Sequence, residues 1–349
     1  MSNNKLVVKR NTLYSMIVVI FFSLIVGNRG RTNDTQAYYD LFRDVNYYNI
    51  YDPVSFYKDT GMEPGIGFLF NVIGFFSQSS FFVFSVISFL IFILYLLISR
   101  NLKLNPLLLL MIYICSGFFI FQQFMQIRQG LSTFVFLYAS LCLFDKKYFL
   151  AILGFFAAMF IHQSAILPVC FAIAVYAFLA AFNINRLNFI IINLFAAIVS
   201  FFIAKLFLIN YLILSSDRVE GYVGSIYGGE VSFIGFNNIR LIVCYLVLFF
   251  LFIKKFEYND KKIQYLFIAL SVGIGMKFGM LDIDILSGRL TAPFIFAEVL
   301  LMVKLVQLNF SKTVSFIILV LYAIGLFIPA YFIQIDFNDF LNLYFTPLR

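Results

Sequence analysis

The chain has 349 residues, of which 62% are hydrophobic and 12% are charged, and its mean hydropathy is +0.96. A soluble domain cannot bury so much apolar surface, so the composition predicts an all-α integral membrane protein and excludes an ordinary soluble enzyme. We assign most of the net charge of +8 to loops between membrane helices, which argues against a nucleic-acid partner.

Eleven apolar segments are predicted to cross the bilayer as helices, which needs about 20 residues each. The first follows Lys5, Lys9 and Arg10, and no small-residue cleavage site comes after it, so we predict a retained span instead of a signal peptide. The segment 64–77 is shorter and is predicted to be a re-entrant or interfacial helix. The eleven spans are 12–27, 80–98, 105–122, 130–144, 148–161, 164–182, 188–210, 239–253, 263–281, 290–308 and 313–333.

The loop charges predict the orientation of these spans within a single transmembrane domain, 1–349. With the N-terminus inside, the lysine-rich loops face the cytoplasm, as the positive-inside rule requires. Three segments then lie outside: the first loop 28–63, the large loop 211–238 and the C-terminal tail 334–349. The first two are rich in tyrosines beside carboxylates, a composition suited to binding sugars, although an interfacial tyrosine belt would look the same.

A polar stretch at residues 121–130 interrupts two strongly apolar runs. It contains four glutamines and Arg128, and if it is one helix, Gln122, Gln126 and Gln129 share a face. A short polar connector between two spans would have the same composition. However, an ionisable residue near membrane depth usually has a function, so Arg128 is a candidate site residue.

The chain lacks the motifs of the common cofactor sites. It has no Walker motif and no GxGxxG sequence after a strand. Its four cysteines lie inside apolar runs without a CxxC pair, and it has a single histidine. The pair Asp282 and Asp284 resembles the DxD of metal-dependent glycosyltransferases, but so short a match is frequent by chance. We therefore predict neither a cofactor nor a metal.

Arginines collect on the predicted outer side, whereas the inner loops carry mostly lysine. A guanidinium group presents a rigid fork that fits phosphate oxygens, while a lysine acts as a point charge. An arginine-rich outer face above an apolar core suits a ligand with a phosphorylated head and a lipid tail. The candidates include Arg29, Arg31, Arg128, Arg218 and Arg289.

Two further residues could transfer a proton. The span before His162 would be only about 21 Å long, which places this histidine below the outer surface. A histidine needs little tuning to act as a base near neutral pH, although a lone histidine is often only a satisfied core group. Glu63 precedes Pro64 at the start of the segment 64–77, where it could instead cap the helix; the helix dipole would then lower its pKa and weaken it as a base.

Several short motifs follow one another along the chain: Asp34-Thr35 with Tyr38-Tyr39, Glu63-Pro64, Ile127-Arg128-Gln129-Gly130, His162-Gln163-Ser164-Ala165 and Ser287-Gly288-Arg289. Taken in this order, these motifs resemble the EpsG family of Wzy-type bacterial polysaccharide polymerases. The similarity extends over most of the chain. One departure follows Arg289, where Leu290-Thr291 stands near the position of an expected aromatic pair such as Tyr-Phe.

The resemblance implies a GT-C-like, multi-pass glycosyltransferase of the bacterial inner membrane. Such an enzyme would transfer a growing glycan from undecaprenyl diphosphate onto the next lipid-linked repeat unit at the outer face. Its partners would be these lipid-linked oligosaccharides and membrane lipids, with a chain-length regulator and a flippase. An O-antigen ligase, which shares the donor, and a lipid-linked oligosaccharide flippase or transporter are the alternatives, although a transporter would favour polar residues near the bilayer midplane and repeat symmetry.

The resemblance also implies roles for individual residues. Arg128 with Arg289 would bind the diphosphate, and Arg29 with Arg31 would hold the second lipid head group. The base would be His162 or Glu63. The residues expected to orient the substrates are Asp34, Tyr38, Gln129 and the loop 211–238, which includes Arg218.

Overall fold

A computed structural model describes residues 2–30, 34–209, 232–255 and 260–333. Every regular element in these ranges is a helix. The chain forms two compact units: Met1–Val169 with Thr313–Arg349, and Cys170–Lys312. The first unit is therefore discontinuous in sequence, and the second is inserted between its two parts.

The first unit contains the polar stretch and both predicted proton-transfer residues. Its helices are α1 (Ser2–Gly27), α2 (Thr35–Asp44), α3 (Pro53–Thr60), α4 (Pro64–Gly74), α5 (Ser80–Asn101), α6 (Pro106–Cys115), α7 (Gly117–Met125), α8 (Ile127–Phe144) and α9 (Tyr148–Ile161). Helix α10 (Gln163–Ala181) leads into the second unit, which continues with α11 (Arg186–Leu208), α12 (Phe236–Lys254), α13 (Lys261–Gly279), α14 (Asp284–Arg289) and α15 (Ala292–Asn309). Helix α16 (Lys312–Phe332) returns the chain to the first unit.

Seven of the described helices are long and apolar enough to cross a membrane, namely α5, α8, α10, α11, α12, α15 and α16. The bent pair α6 and α7 raises this number to eight if it forms one span. The predicted segments 12–27, 148–161 and 263–281 are helical as well, in α1, α9 and α13. The described part of this membrane protein is thus all-helical and contains seven or eight candidate crossings by length and composition, while the total of eleven stays a prediction.

Helix α4 is the predicted short helix of the segment 64–77. Its 11 residues are too few to span a bilayer of about 30 Å. Pro64 occupies the first turn, where its missing N–H costs nothing. One face of the helix is buried in the protein, whereas Phe68, Val72 and the following Phe75 are exposed. An exposed apolar face of this kind is suited to lipid contact.

The polar stretch at 121–130 is not one helix, so the condition under which its glutamines would share a face is not met. Helices α6 and α7 are bent by 78° at a break, and residues Ile120–Met125 of α7 form a π-helix. The helix is interrupted again at Gln126, with φ −109° and ψ 56°, before α8 begins at Ile127. Gln122 and Gln129 therefore lie on different helices, and Arg128 is in the first turn of α8.

In the second unit, small residues allow α11 and α13 to pack closely. A Cβ atom added to Gly275 would lie 2.1 Å from the Ala197 carbonyl oxygen, and one added to Gly279 would lie 2.6 Å from that of Phe201. Small residues at such contacts are typical of membrane helix pairs. Between the same helices, the Ser271 hydroxyl donates a 2.8 Å hydrogen bond to the Asn193 side chain.

Candidate active site

The carboxylate of Glu63 lies between His162 and Arg128 in the first unit. Its Oε1 atom is 2.7 Å from Nδ1 of His162 and accepts a 3.2 Å hydrogen bond from the backbone N–H of Gln163. Its Oε2 atom forms an ion pair with Nη1 of Arg128. The Glu63 side chain is 8% exposed and those of Arg128 and His162 are 14% and 19% exposed, so solvent reaches the edge of the group.

A glycine brings Glu63 to His162. Gly65 lies in the first turn of α4 against the end of α9, and a Cβ atom there would be 2.4 Å from the Phe160 carbonyl oxygen. Only glycine permits this approach of two backbones without a shift. Helix α9 ends at Ile161, and His162 takes an extended conformation with φ −157° and ψ 122°. The imidazole consequently reaches the carboxylate two residues before Gly65.

A second glycine supports the position of Arg128. Gly130 faces the π-helical segment, where an added Cβ atom would be 2.4 Å from the Gln122 carbonyl oxygen. From the first turn of α8, Arg128 donates from Nε to the Tyr38 hydroxyl at 3.4 Å. Its guanidinium carbon lies 5.7 Å from the centre of the Tyr38 ring, within the range of a cation–π contact. Thus Tyr38 joins the group through α2.

The electrostatics assign Glu63 the role of an acceptor. Burial acts to raise its pKa, but the hydrogen bond and charge of His162 and the charge of Arg128 outweigh burial and lower the pKa of Glu63 to about 2. An ionised carboxylate can only accept, so Nδ1 of His162 must carry the hydrogen of this contact. In the neutral imidazole, Nε2 then has the free lone pair. Nε2 of His162 can thus accept a proton from a substrate, whereas Glu63 is a poor base.

The structure does not show Glu63 capping α4 with its side chain. Glu63 is the N-cap residue, yet its carboxylate makes no capping hydrogen bond to this helix. The backbone N–H of Gln163 and the Tyr57 hydroxyl, which receives a 3.3 Å hydrogen bond from the Gln163 side chain, were not singled out in the sequence. Gln163 does follow the histidine within a recognisable motif, which was the available signal.

Three other predicted residues of the first unit lie close to the break between helices α7 and α8. Arg29 is 2% exposed and donates from Nη1 to the Phe124 carbonyl oxygen at 3.0 Å. Asp34 is the N-cap residue of α2, and Gln129 is buried next to Arg128 in α8. Arg31 and Arg218 lie outside the described residues, as do most of the loop 211–238 and the tail 334–349.

Arg289 belongs to the second unit, where it is the last residue of α14 and is half-buried. Side-chain hydrogen bonds lie on both sides of Arg289. The Ser287 hydroxyl donates to the Lys277 carbonyl oxygen at 3.2 Å, and the Thr291 hydroxyl donates to the Ser287 carbonyl oxygen at 2.5 Å. Asp282, of the DxD sequence, pairs with Lys205. Within the described ranges, no three His, Cys, Asp or Glu side chains are grouped as metal ligands.

Comparison with known proteins identifies the family. The model of the EpsG family matches residues 12–347, which is nearly the whole chain. Neither a search of curated proteins nor a search of solved structures yields a match. The family match and the helical membrane architecture together show that the chain belongs to the EpsG family of Wzy-type polysaccharide polymerases.

Proposed function

We propose that this protein polymerises lipid-linked glycan repeat units at the outer face of the bacterial inner membrane. The donor is a growing glycan on undecaprenyl diphosphate, and the acceptor is the next lipid-linked repeat unit. The family already implies a glycosyltransferase-like polymerase in the membrane. The observation that carries the finer assignment is the contact of one buried carboxylate, Glu63, with both His162 and Arg128.

The proposed reaction forms one bond to the anomeric carbon of the donor and breaks another. A hydroxyl oxygen of the acceptor attacks this carbon, and its proton passes to Nε2 of His162. The bond from the anomeric carbon to the diphosphate oxygen breaks, and its electron pair leaves with the diphosphate. Glu63 fixes the imidazole tautomer and stabilises the imidazolium ion that forms.

Arg128 has two functions in this proposal. It neutralises Glu63 through Nη1, and its guanidinium group is proposed to donate hydrogen bonds to the diphosphate as well. Negative charge grows on the diphosphate as the bond breaks, and a prepositioned guanidinium lowers the free energy of that transition state. The assignment of Arg289 to diphosphate binding rests on the sequence alone and stays a proposal. Asp34, Tyr38 and Gln129 with the loop 211–238 are proposed to orient the sugars.

The proposal is tested by complementing a deletion strain and separating its glycans by size. We expect the deletion to leave single repeat units, wild-type protein to restore a ladder, and Arg128→Ala or His162→Ala to restore none. Arg43→Ala is the matched control, because Arg43 is an exposed arginine paired with Asp44 on α2 and is expected to leave the ladder unchanged.

The other outcomes would contradict the proposal. Normal chain lengths in either variant would remove that residue from the reaction. Long chains that accumulate on the lipid carrier in the deletion strain would indicate a ligase instead. Repeat units retained on the cytoplasmic side would indicate a flippase. The chain-length regulator and flippase proposed as partners would be sought by co-purification from the same strain.

A further inference from the structure

The break between α7 and α8 leaves backbone groups without the intrahelical hydrogen bonds that a continuous helix would provide. In a membrane protein, an unsatisfied carbonyl group is costly, so other groups must supply hydrogen bonds. The carbonyl of Phe124, two residues before Gln126, receives them from distant parts of the chain. Arg29 donates to it at 3.0 Å across 95 positions, and Thr35 donates from its hydroxyl at 3.5 Å across 89 positions.

Arg29 is an unusual donor for a structural hydrogen bond. Its side chain is among the largest that are fully buried, and it forms no ion pair with any described carboxylate. Burial lowers the pKa of Arg29 to about 9, so the side chain stays charged at neutral pH. The charge is stabilised by the Phe124 carbonyl and by the Phe84 ring, whose centre lies 3.9 Å from the guanidinium carbon. These contacts at the break between α7 and α8 thus offset part of the free-energy cost of burying the charge.

Helix α2 contacts the chain on both sides of the break. Thr35 and Tyr38 lie one turn apart on this helix and so share a face. Thr35 reaches the Phe124 carbonyl before the break, whereas the Tyr38 hydroxyl accepts from Nε of Arg128 after it. Movement of α7 relative to the start of α8 would have to break one of these contacts.

We infer that Arg29 and Thr35, together called the Phe124 clamp, are positioning residues that hold the broken helix and thereby aim Arg128 at Glu63. This inference assigns Arg29 an internal role instead of the contact with a lipid head group predicted from the sequence. Its structural part is independent of the reaction, whereas its effect on transfer rests on the proposed function.

Hydrogen–deuterium exchange on the purified protein in detergent tests the structural part. Arg29→Met removes the donors of Arg29 at similar length, and Arg29→Lys keeps a charged donor. We expect Arg29→Met to accelerate exchange in residues 121–130 while the later part of α8 is unchanged, and Arg29→Lys to restore part of the protection. If Arg29→Met does not fold, Thr35→Val makes the same test, with Thr35→Ser as the conservative variant.

The control for this measurement is Gln36→Ala. Gln36 is exposed on α2 and donates to Asp40, and among the described residues it has no hydrogen bond to the Phe124 carbonyl or Arg128. Its replacement should leave exchange in residues 121–130 unchanged. Unchanged exchange in both Arg29→Met and Thr35→Val would overturn the inference. Acceleration spread evenly over the first unit would also overturn it, since that result indicates general destabilisation.

A double-mutant cycle tests whether the clamp acts through Arg128. Misplacement of a catalytic group by about 1 Å can cost about 100-fold in rate, so we expect Thr35→Val to slow polymer formation by up to that factor. In an Arg128→Lys background the same substitution should have little further effect, because the group it positions is gone. Equal losses in both backgrounds would overturn the positioning role. If the clamp variants change exchange locally but the wild-type protein itself makes no polymer, the clamp is supported and the proposed function is refuted.

Discussion

The Nδ1 atom of His162 lies 2.7 Å from Oε1 of Glu63, although 99 positions separate the two residues. If Glu63 orients the imidazole, Glu63→Gln should keep the shape of the site but lose its charge. Arg128 would then face an uncharged amide, and the imidazolium ion would lose its stabilising partner. We expect polymer formation to slow by about 10²–10⁴-fold, the range found for general base catalysis.

The control for Glu63→Gln is Asp40→Asn, which neutralises an exposed carboxylate on α2. Both proteins should be present in the membrane in equal amounts, as measured by blotting, and only Glu63→Gln should lose the ladder of glycans. A Glu63→Gln protein that polymerises at the wild-type rate would exclude Glu63 from the reaction.

A pH dependence of stability follows from the same carboxylate. Its pKa is lowered from 4.5 to about 2 in the folded protein, so ionised Glu63 stabilises the fold above pH 4.5. This contribution should be lost as the pH falls from about 4.5 to about 2. Thermal unfolding in detergent across this range should show a steeper fall for wild-type protein than for Glu63→Gln. Parallel curves would mean that the carboxylate is not held by its partners.

The close approach at Gly65 predicts a steric effect on the site. Gly65→Ala places a methyl group 2.4 Å from the Phe160 carbonyl oxygen and should separate α4 from α9. We expect a loss of about 1–3 kcal/mol in stability, typical of overpacking, and a loss of polymer. Gly325→Ala is the matched control because nothing lies within 4 Å of the added methyl group. Similar unfolding midpoints for the two variants would contradict the predicted clash.

The second unit contains a buried ion pair whose removal should affect the fold. Arg240 on α12 binds both carboxylate oxygens of Glu298 on α15, and the Glu298 side chain is 1% exposed. Arg240→Met leaves a buried carboxylate without its partner, so we expect a loss of about 3–5 kcal/mol. The exposed pair of Lys205 and Asp282 is the comparison, since Lys205→Met should cost only about 0–1 kcal/mol. Unfolding midpoints measured in detergent check both values, and equal shifts would contradict the difference in burial.

Much of the architecture follows from composition and local pattern. Apolar runs of suitable length predict membrane helices because lipid leaves no other partner for the backbone. Pro64 correctly marks the start of α4, and each of the eleven apolar segments contains a helix within the described residues. The bend of 78° between α6 and α7, however, was not predicted, because helix bends and breaks are not visible in hydropathy.

The sequence predicts two separate spans, 105–122 and 130–144, but it does not predict the π-helix or the position of the break at Gln126. The structure stops α7 where distant donors satisfy the Phe124 carbonyl. The role of Glu63 was hidden for the same reason. A helix N-terminus explains a carboxylate locally, but its actual partners, His162 and Arg128, are 99 and 65 positions away.

The discontinuity of the first unit has a consequence for biogenesis. The Tyr331 hydroxyl, at the end of α16, donates a 2.8 Å hydrogen bond to the Ile114 carbonyl oxygen beside the bend after α6. The ribosome synthesises the whole second unit, Cys170–Lys312, between these two residues. During translation the Ile114 carbonyl oxygen therefore lacks this donor until α16 has been synthesised, and a nascent chain arrested before α16 would not form this hydrogen bond.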